Sequence, residues 1–526
     1  MPLLVNQYQL NIAGSGSITI NWGDGSSETV TVTGVAQAFV HTYATINRFL
    51  IEITGPGTVT SLEALGTDKA RLEEVQSFGS LGLTSFNHSI SEVGTGSSLN
   101  QSFLLDVPAT LPSSLVELPG LFSYSTNPAV YKTSSWDWAQ LVNVSEFFKE
   151  AKNFDFTLRN ITLPNLQHFN GFAERSENAT FYFDAVRFTH TALNIYGAFQ
   201  YAKNVELNIL RTEFSATAVN NFAANANGIT LNWTQLSFPR ATSLDYFVYS
   251  SRNVKAIING LSVPMAVTAD QAFNLGGNEY NASNDVGFGG KLLLSNFDAP
   301  SMLTMMGSFS GWTNAELVLD LPNFRTLEAM TGFLSFANNS RITVNDLILR
   351  DLNAGSLELA THGHGNVFTF NNLEFANTRL INNLFGSNKN CTFNFNQMVI
   401  SGNGGVNLAF AGSEALIINA PNVQVAAGAS LYSFLGNITK ASKVTANNWN
   451  FLGAADVSNI LSGFGLSSTV EANNWTFAGL ATIKHVFSHN YPYLTTYTGE
   501  RAGGPTIVAN NWTFNAGAIT TTDWVV

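Results

Sequence analysis

At 526 residues the chain exceeds what one hydrophobic core ordinarily serves, so several domains or a repeat array is expected. Apolar residues make up 45% and charged ones only 11%, the polar remainder being mostly Asn, Ser, Thr and Gly, a mix that suits stacked strands and turns. A net charge of −12 argues against the clustered Lys and Arg of a nucleic-acid binder, and the single cysteine, Cys391, excludes a disulfide framework or a cysteine-rich metal site.

The N-terminus, Met-Pro-Leu-Leu-Val-Asn-Gln-Tyr, lacks the basic start and apolar core of a secretory signal, and no run of about 18 apolar residues occurs. Synthesis in the cytoplasm is therefore expected, which fits a virus particle better than a secreted adhesin. Residues 1–56 alternate as Leu10/Ile12, Ile18/Ile20/Trp22, Val30/Val32 and Phe49/Ile51/Ile53, with a turn at Gly23-Asp24-Gly25, and read as short antiparallel strands. Asp24 is expected to accept backbone hydrogen bonds in that turn; with Glu28 it lacks the alternating ligands of a calcium loop.

The run Trp22-Gly23-Asp24-Gly25 followed by His41-Thr42-Tyr43 resembles the PKD domain, an immunoglobulin-like sandwich. Its shortness implies a sandwich lacking a strand or two, with open edges through which residues 1–56 dock on other virion or surface proteins. Residues 57–120, with Leu62, Leu65, Leu72, Val75 and Phe78, are expected to form a linker or an irregular capping coil.

From residue 121 to 526 a repeat dominates. Phenylalanines recur at Phe122, Phe148, Phe172, Phe199, Phe222, Phe247 and Phe273, then at Phe309 and Phe333, and on through Leu359, Phe385, Phe410, Phe434, Phe464 and Phe487, mostly about 23–27 residues apart. Before each anchor the spacing is helical, as in Leu166, Phe169, Phe172 or Leu327, Met330, Phe333, which predicts one- or two-turn helices. About five residues later stands an Asn suited to a left-handed turn: Asn153, Asn204, Asn227, Asn314, Asn338 and Asn390. Strand-like alternation follows, as in Val205/Leu207/Ile209, Ile229/Leu231/Trp233, Leu317/Leu319/Leu321, Phe368/Phe370 and Phe393/Phe395, and often a Leu-Pro step such as Leu163-Pro164.

Such coils must stack to bury their edges, giving about fourteen parallel strands on the order of 70 Å in length. The runs Asn447-Asn448-Trp449, Asn473-Asn474-Trp475 and Asn510-Asn511-Trp512 would then form Asn and Trp ladders. The unit resembles the BspA-like leucine-rich repeat over about residues 100–515, although Asn stands where that family often has a small residue or Cys. The expected architecture is a leucine-rich-repeat-like solenoid with parallel strands and short helices, preceded by a small β-sandwich-like domain. The resemblance spans bacterial surface adhesins, protist surface proteins and phage proteins.

No catalytic residue, cofactor or metal is expected. Sparse carboxylates such as Asp298, Asp320 and Asp351 sit at strand edges or turns rather than as a facing glycosidase pair, and His362-Gly363-His364 offers two ligands without a third. Asn-X-Ser/Thr sequences such as Asn160, Asn178 and Asn232 follow from the repeated Asn and Thr. Two insertions leave the coil after an anchor: residues 274–290, with Tyr280 and Asn281, and residues 490–504, with Tyr491, Tyr493, Tyr497 and Arg501. Their phenol faces and amides are the candidate binding residues for glycan or protein. The expected function is a non-enzymatic structural or adhesion protein, first a bacteriophage tail or capsid fibre or decoration protein. The alternatives are a bacterial cell-surface adhesin and a glycan-degrading tailspike. Expected partners are other virion or surface proteins, host glycans and further copies of the chain; nucleic acid and membrane insertion are not expected.

Overall fold

The computed structural model describes residues 6–66, 72–87, 104–275, 290–321, 327–351, 357–378, 381–402, 405–453, 456–465, 467–478, 482–484 and 506–514. The chain divides into two compact units, Met1–Ala241 and Thr242–Val526.

The first unit opens with a small mixed sheet of β1 (Gln7–Asn21), β2 (Ser27–Val32), β3 (Gln37–Thr42), β4 (Glu52–Thr54), β5 (Thr58–Gly66) and β6 (Ser85–Asn87). Tyr8, Leu10 and Ile12 are buried in the first half of β1, and Ile18 and Ile20 in the second, on either side of an irregularity at Ala13/Gly14. β1 pairs antiparallel with β3 before it and with β2 and β4 after it, while the antiparallel pairing with β5 spans it. Glycine is required at the bend, because a Cβ on Gly14 would lie 1.9 Å from the Thr58 carbonyl oxygen.

β5 faces two ways, antiparallel to β1 and parallel to β6, with Ser61 opposite Ser85. Parallel bridges then continue from Ser85 through Glu117, Asn143, His168 and Asn194. The sheet therefore runs past residue 56, the expected end of the first module, into the stretch expected as a linker or an irregular capping coil. Thr58–Gly66 is the strand at which an antiparallel sheet passes into parallel coils.

The later coils of this unit carry β7 (Lys152–Leu163), β8 (Glu177–Phe188), β9 (Glu206–Leu210), β10 (Glu213–Phe214) and β11 (Thr230–Ser237). Alternation leaves one buried face on each, and parallel register sets Phe156 opposite Phe181 and Phe181 opposite Leu207. Phe122, Phe148, Phe172, Phe199 and Phe222 are fully buried, and neighbours in that series have ring centroids 5.2 to 6.3 Å apart.

The second unit repeats the scheme with β12 (Lys255–Ser262), β13 (Gly290–Ser295), β14 (Ala315–Leu319), β15 (Arg341–Arg350) and β16 (Val367–Ala376), all parallel. Beyond β16 the long strand splits in two, as in Thr392–Phe395 and Met398–Ser401, both pairing with β16. Phe247, Phe273, Phe309 and Phe333 form one buried series and Phe385, Phe410 and Phe434 another, with buried Leu359 in the gap. Phe464 is partly exposed, and Phe487 lies outside the described residues. Each unit thus contains a parallel β-solenoid.

Among the described residues the short helices expected before the anchors are not there; the helical elements are two 3₁₀ turns, Val130–Ser135 and Trp138–Gln140. The cause is backbone sign. Positive φ recurs four residues apart around the anchors, at Glu146 and Glu150, Gly171 and Arg175, Gly197 and Tyr201, and Asn221 and Asn225, which interrupts any α-helical run. The amides bond across coils instead, the Phe148 N–H donating to the Phe172 carbonyl at 2.7 Å and Phe309 to Phe333 at 2.9 Å. This departs from the leucine-rich resemblance.

A further left-handed column runs through Asn127, Asn153, Asn178, Asn204, Gly228 and, in the second unit, Asn314, Asn339, Gly365 and Asn390. At two coils it falls one residue beyond the expected Asn227 and Asn338, because strand register rather than distance from the anchor places it. Amides of the column bond in series: Asn178 donates to Asn153 at 3.2 Å and Asn204 to Asn178 at 3.1 Å. Scarce charges are spent the same way, Lys152 and Lys203 flanking Glu177, Arg211 on Asp184, and Lys291 on Glu316, each one coil away.

Candidate functional site

The residues carrying the PKD resemblance converge. In the turn after β1, the Asp24 carboxylate accepts the Ser26 N–H at 2.9 Å and the Ser26 hydroxyl, and meets His41 Nε2 at 2.8 Å. The His41 ring stacks on Trp22 at 4.9 Å, and the Tyr43 hydroxyl donates to the Trp22 carbonyl at 3.0 Å. Ser26, through its hydroxyl and its amide, and then His41 hold the Asp24 carboxyl well below the usual carboxylate range. Burial, and secondarily the Asp24 charge, pushes the Tyr43 phenol up to about 12. Asp24 is a turn and positioning residue, as its place between glycines leads one to expect.

Beside this cluster lies a cleft of about 1240 Å³ with a mixed polar and apolar lining. Its floor is the face of the sheet that carries Tyr8, Leu10, Ala64 and Phe86; its walls are residues 43–54 and 72–83. The phenol of Tyr8 is 4% exposed, and its hydroxyl has no hydrogen-bond partner among the described residues; the side-chain oxygen of Asn6 is likewise buried and unpartnered. Burial, and then the neighbouring Tyr43 hydroxyl, raises the Tyr8 phenol far above its ordinary value, so it stays a neutral phenol whose hydroxyl is closed to solvent. Sequence reading missed this site. The available signal was a tyrosine on the inward parity of β1, in phase with Leu10 and Ile12.

Elsewhere in the first unit the turns around the anchors are aromatic and polar. Tyr196 and Tyr201 are 52% and 45% exposed; Arg175 lies 5.3 Å over the Tyr201 ring, and the Asn221 amide donates to the Tyr196 hydroxyl at 3.2 Å. Arg175 also pairs with Glu150 at 3.4 Å, and Lys149 with Glu146 at 3.0 Å.

The six candidate binding residues read from the two insertions, Tyr280, Asn281, Tyr491, Tyr493, Tyr497 and Arg501, lie outside the described residues. Of the histidine pair, His362 stacks on Phe336 at 5.1 Å while His364 contacts the Asn390 amide at 3.3 Å, each committed to a different neighbour. Among the described residues no group of three or more His, Cys, Asp or Glu is placed to hold a metal ion, and no helix is long and apolar enough to cross a membrane. A scan against protein-family models finds no match for this chain, and searches of curated proteins and of solved structures find none.

Proposed function

We propose that the chain is a non-enzymatic structural or adhesion protein, in the first instance a component of a bacteriophage virion, docked on its neighbours through the N-terminal sheet. What supports this reading most is where the polar groups go. Ion pairs and amide ladders run from coil to coil, so they serve to hold successive windings in register rather than to converge on a substrate. The docking assignment draws on β2 and β3, which among the described residues pair only with β1 and keep an outer edge each. The phage assignment draws on the family resemblances; a bacterial cell-surface adhesin is the alternative reading. Exposed Tyr196 and Tyr201 favour a contact with host glycan as a secondary role, since pyranose rings stack on such faces. A glycan-degrading tailspike would need two facing carboxylates.

The test uses the full chain carrying Thr31→Lys and Val40→Lys, two exposed edge positions. The variant is expected to keep its melting temperature and to lose incorporation into particles of the parent phage, scored by electron microscopy of labelled chain. Undiminished incorporation of the folded variant would overturn the docking assignment.

A further inference from the structure

An antiparallel strand bonds its neighbour at alternate residues only, so an edge strand leaves the other half of its amides and carbonyls facing outward. The Tyr43 N–H donates to the Asn6 carbonyl at 3.1 Å and His41 stands opposite Tyr8, which commits the main-chain groups of Gln37, Phe39 and His41 to β1. Those of Ala38, Val40 and Thr42 therefore point away from the sheet, and among the described residues they meet no partner. The side chains of the same three residues are exposed. Edge strands are normally blunted by a charge, a proline or a bulge, and Gln37–Thr42 carries none of them.

The residues around β3 fit a second copy of the chain. Antiparallel pairing about a two-fold axis at Val40 sets Val40 against Val40 and Ala38 against Thr42, all of them small or β-branched and uncharged. Val35 and Ile46, at 74% and 65% the most exposed aliphatic side chains among the described residues, stand five residues before Val40 and six after it. The same axis brings Val35 of each copy to the end of the paired strands where Ile46 of the other emerges, so the two shed water together. Charge selects this edge over the other. The chain carries a net charge of −12, so two copies meet most readily where neither presents a carboxylate. β2 holds Glu28, whereas β3 has neither Asp nor Glu, and the Asp24 carboxylate beside it is engaged with His41 at 2.8 Å. We infer that two copies of this chain pair through β3, joining their N-terminal sheets into one across a two-fold axis at Val40. This rests on the docking reading above and names the neighbour as a second copy.

The experiment is sedimentation velocity of the full chain. A dimer that dissociates on dilution is expected, and Val40→Lys should leave a monomer with the circular dichroism of the parent, because it sets like charges directly opposite one another across the axis. Register is read with dibromobimane, which couples two thiols a few ångströms apart. Across the inferred axis the Cα atoms of position 40 lie about 5.5 Å apart and those of position 42 about 14 Å. Val40→Cys chains should therefore be coupled in pairs and Thr42→Cys chains should not; the native Cys391 is buried and does not compete. The inference is overturned by a full chain that stays monomeric, by a Val40→Lys chain that remains a dimer, or by Thr42→Cys chains coupling as readily as Val40→Cys chains. Should the full chain be monomeric while the edge-strand lysines still block incorporation, this inference falls and the docking reading stands.

Discussion

Cys391 illustrates how a solenoid assigns tasks by column. It is buried, as a lone cysteine in an alternating strand suggests, yet it is not merely a small hydrophobe: its sulfur accepts the Asn366 N–H at 3.4 Å and its thiol donates to the Lys389 carbonyl at 3.2 Å. The same job falls to a hydroxyl or an amide on other coils, the Ala315 N–H donating to Ser340, the Ser340 N–H to Asn366, and the Ser442 N–H to Ser468. A stronger acceptor of similar size should therefore be welcome, and an apolar isostere should not. Cys391→Ser is expected to leave stability unchanged or slightly raised, whereas Cys391→Val should cost about 1–3 kcal/mol by leaving the Asn366 N–H unpaired. Urea unfolding of the two variants decides it; a valine variant as stable as the serine one would show that the column is held by packing alone.

Among elements, the Asn-Asn-Trp runs show how far repetition translates into structure. Trp475 is fully buried between Trp449 at 5.0 Å and Trp512 at 4.9 Å, its indole N–H donating to the Ala446 carbonyl, while Asn474 donates to Asn448 at 3.0 Å on the exposed side. Trp475→Ala should cost about 3–5 kcal/mol. Asn474 has φ +60°, so Asn474→Gly, which keeps the backbone free to adopt that value, should cost well under about 1 kcal/mol. Hydrogen exchange across residues 443–478 is the check, and equal losses in the two variants would mean that the amide ladder matters as much as the rings. Strands such as Phe393/Phe395 were legible because period-two alternation reports a pleated backbone directly. The turns were not: Leu166, Phe169 and Phe172 are all buried at helical spacing, but that spacing records only which side chains point inward. It is silent on whether each N–H bonds within its coil or to the next, and Gly171 and Arg175, with positive φ, settle the matter against helix. The cleft was illegible for a different reason, since Tyr8 and Phe78 become neighbours only once β1, β5 and β6 have paired.

Over the molecule as a whole, a parallel coil stack must do something about its first strand, which otherwise offers a row of unpaired N–H and C=O groups to any passing chain. In the first unit β1 meets that need by pairing antiparallel with β5 from Tyr8 opposite Gly66 to Ser15 opposite Thr58, while the other side of β5 carries β6. The N-terminal sheet is thus a cap as well as a proposed docking element, and the two roles separate experimentally. Removing residues 1–56 takes away β1 and leaves β5 with one bare edge, so the truncated chain should keep its β-rich circular dichroism but associate with itself as concentration rises, read by sedimentation velocity. A charge placed on that edge is the control. Ser61→Lys within the truncated chain should restore the monomer if strand-to-strand pairing drives association, because lysine on an edge strand opposes such pairing. A truncated chain that stays monomeric without the lysine would mean that the β1–β5 pairing covers nothing that needs covering, and the N-terminal sheet would then be left with docking as its sole role.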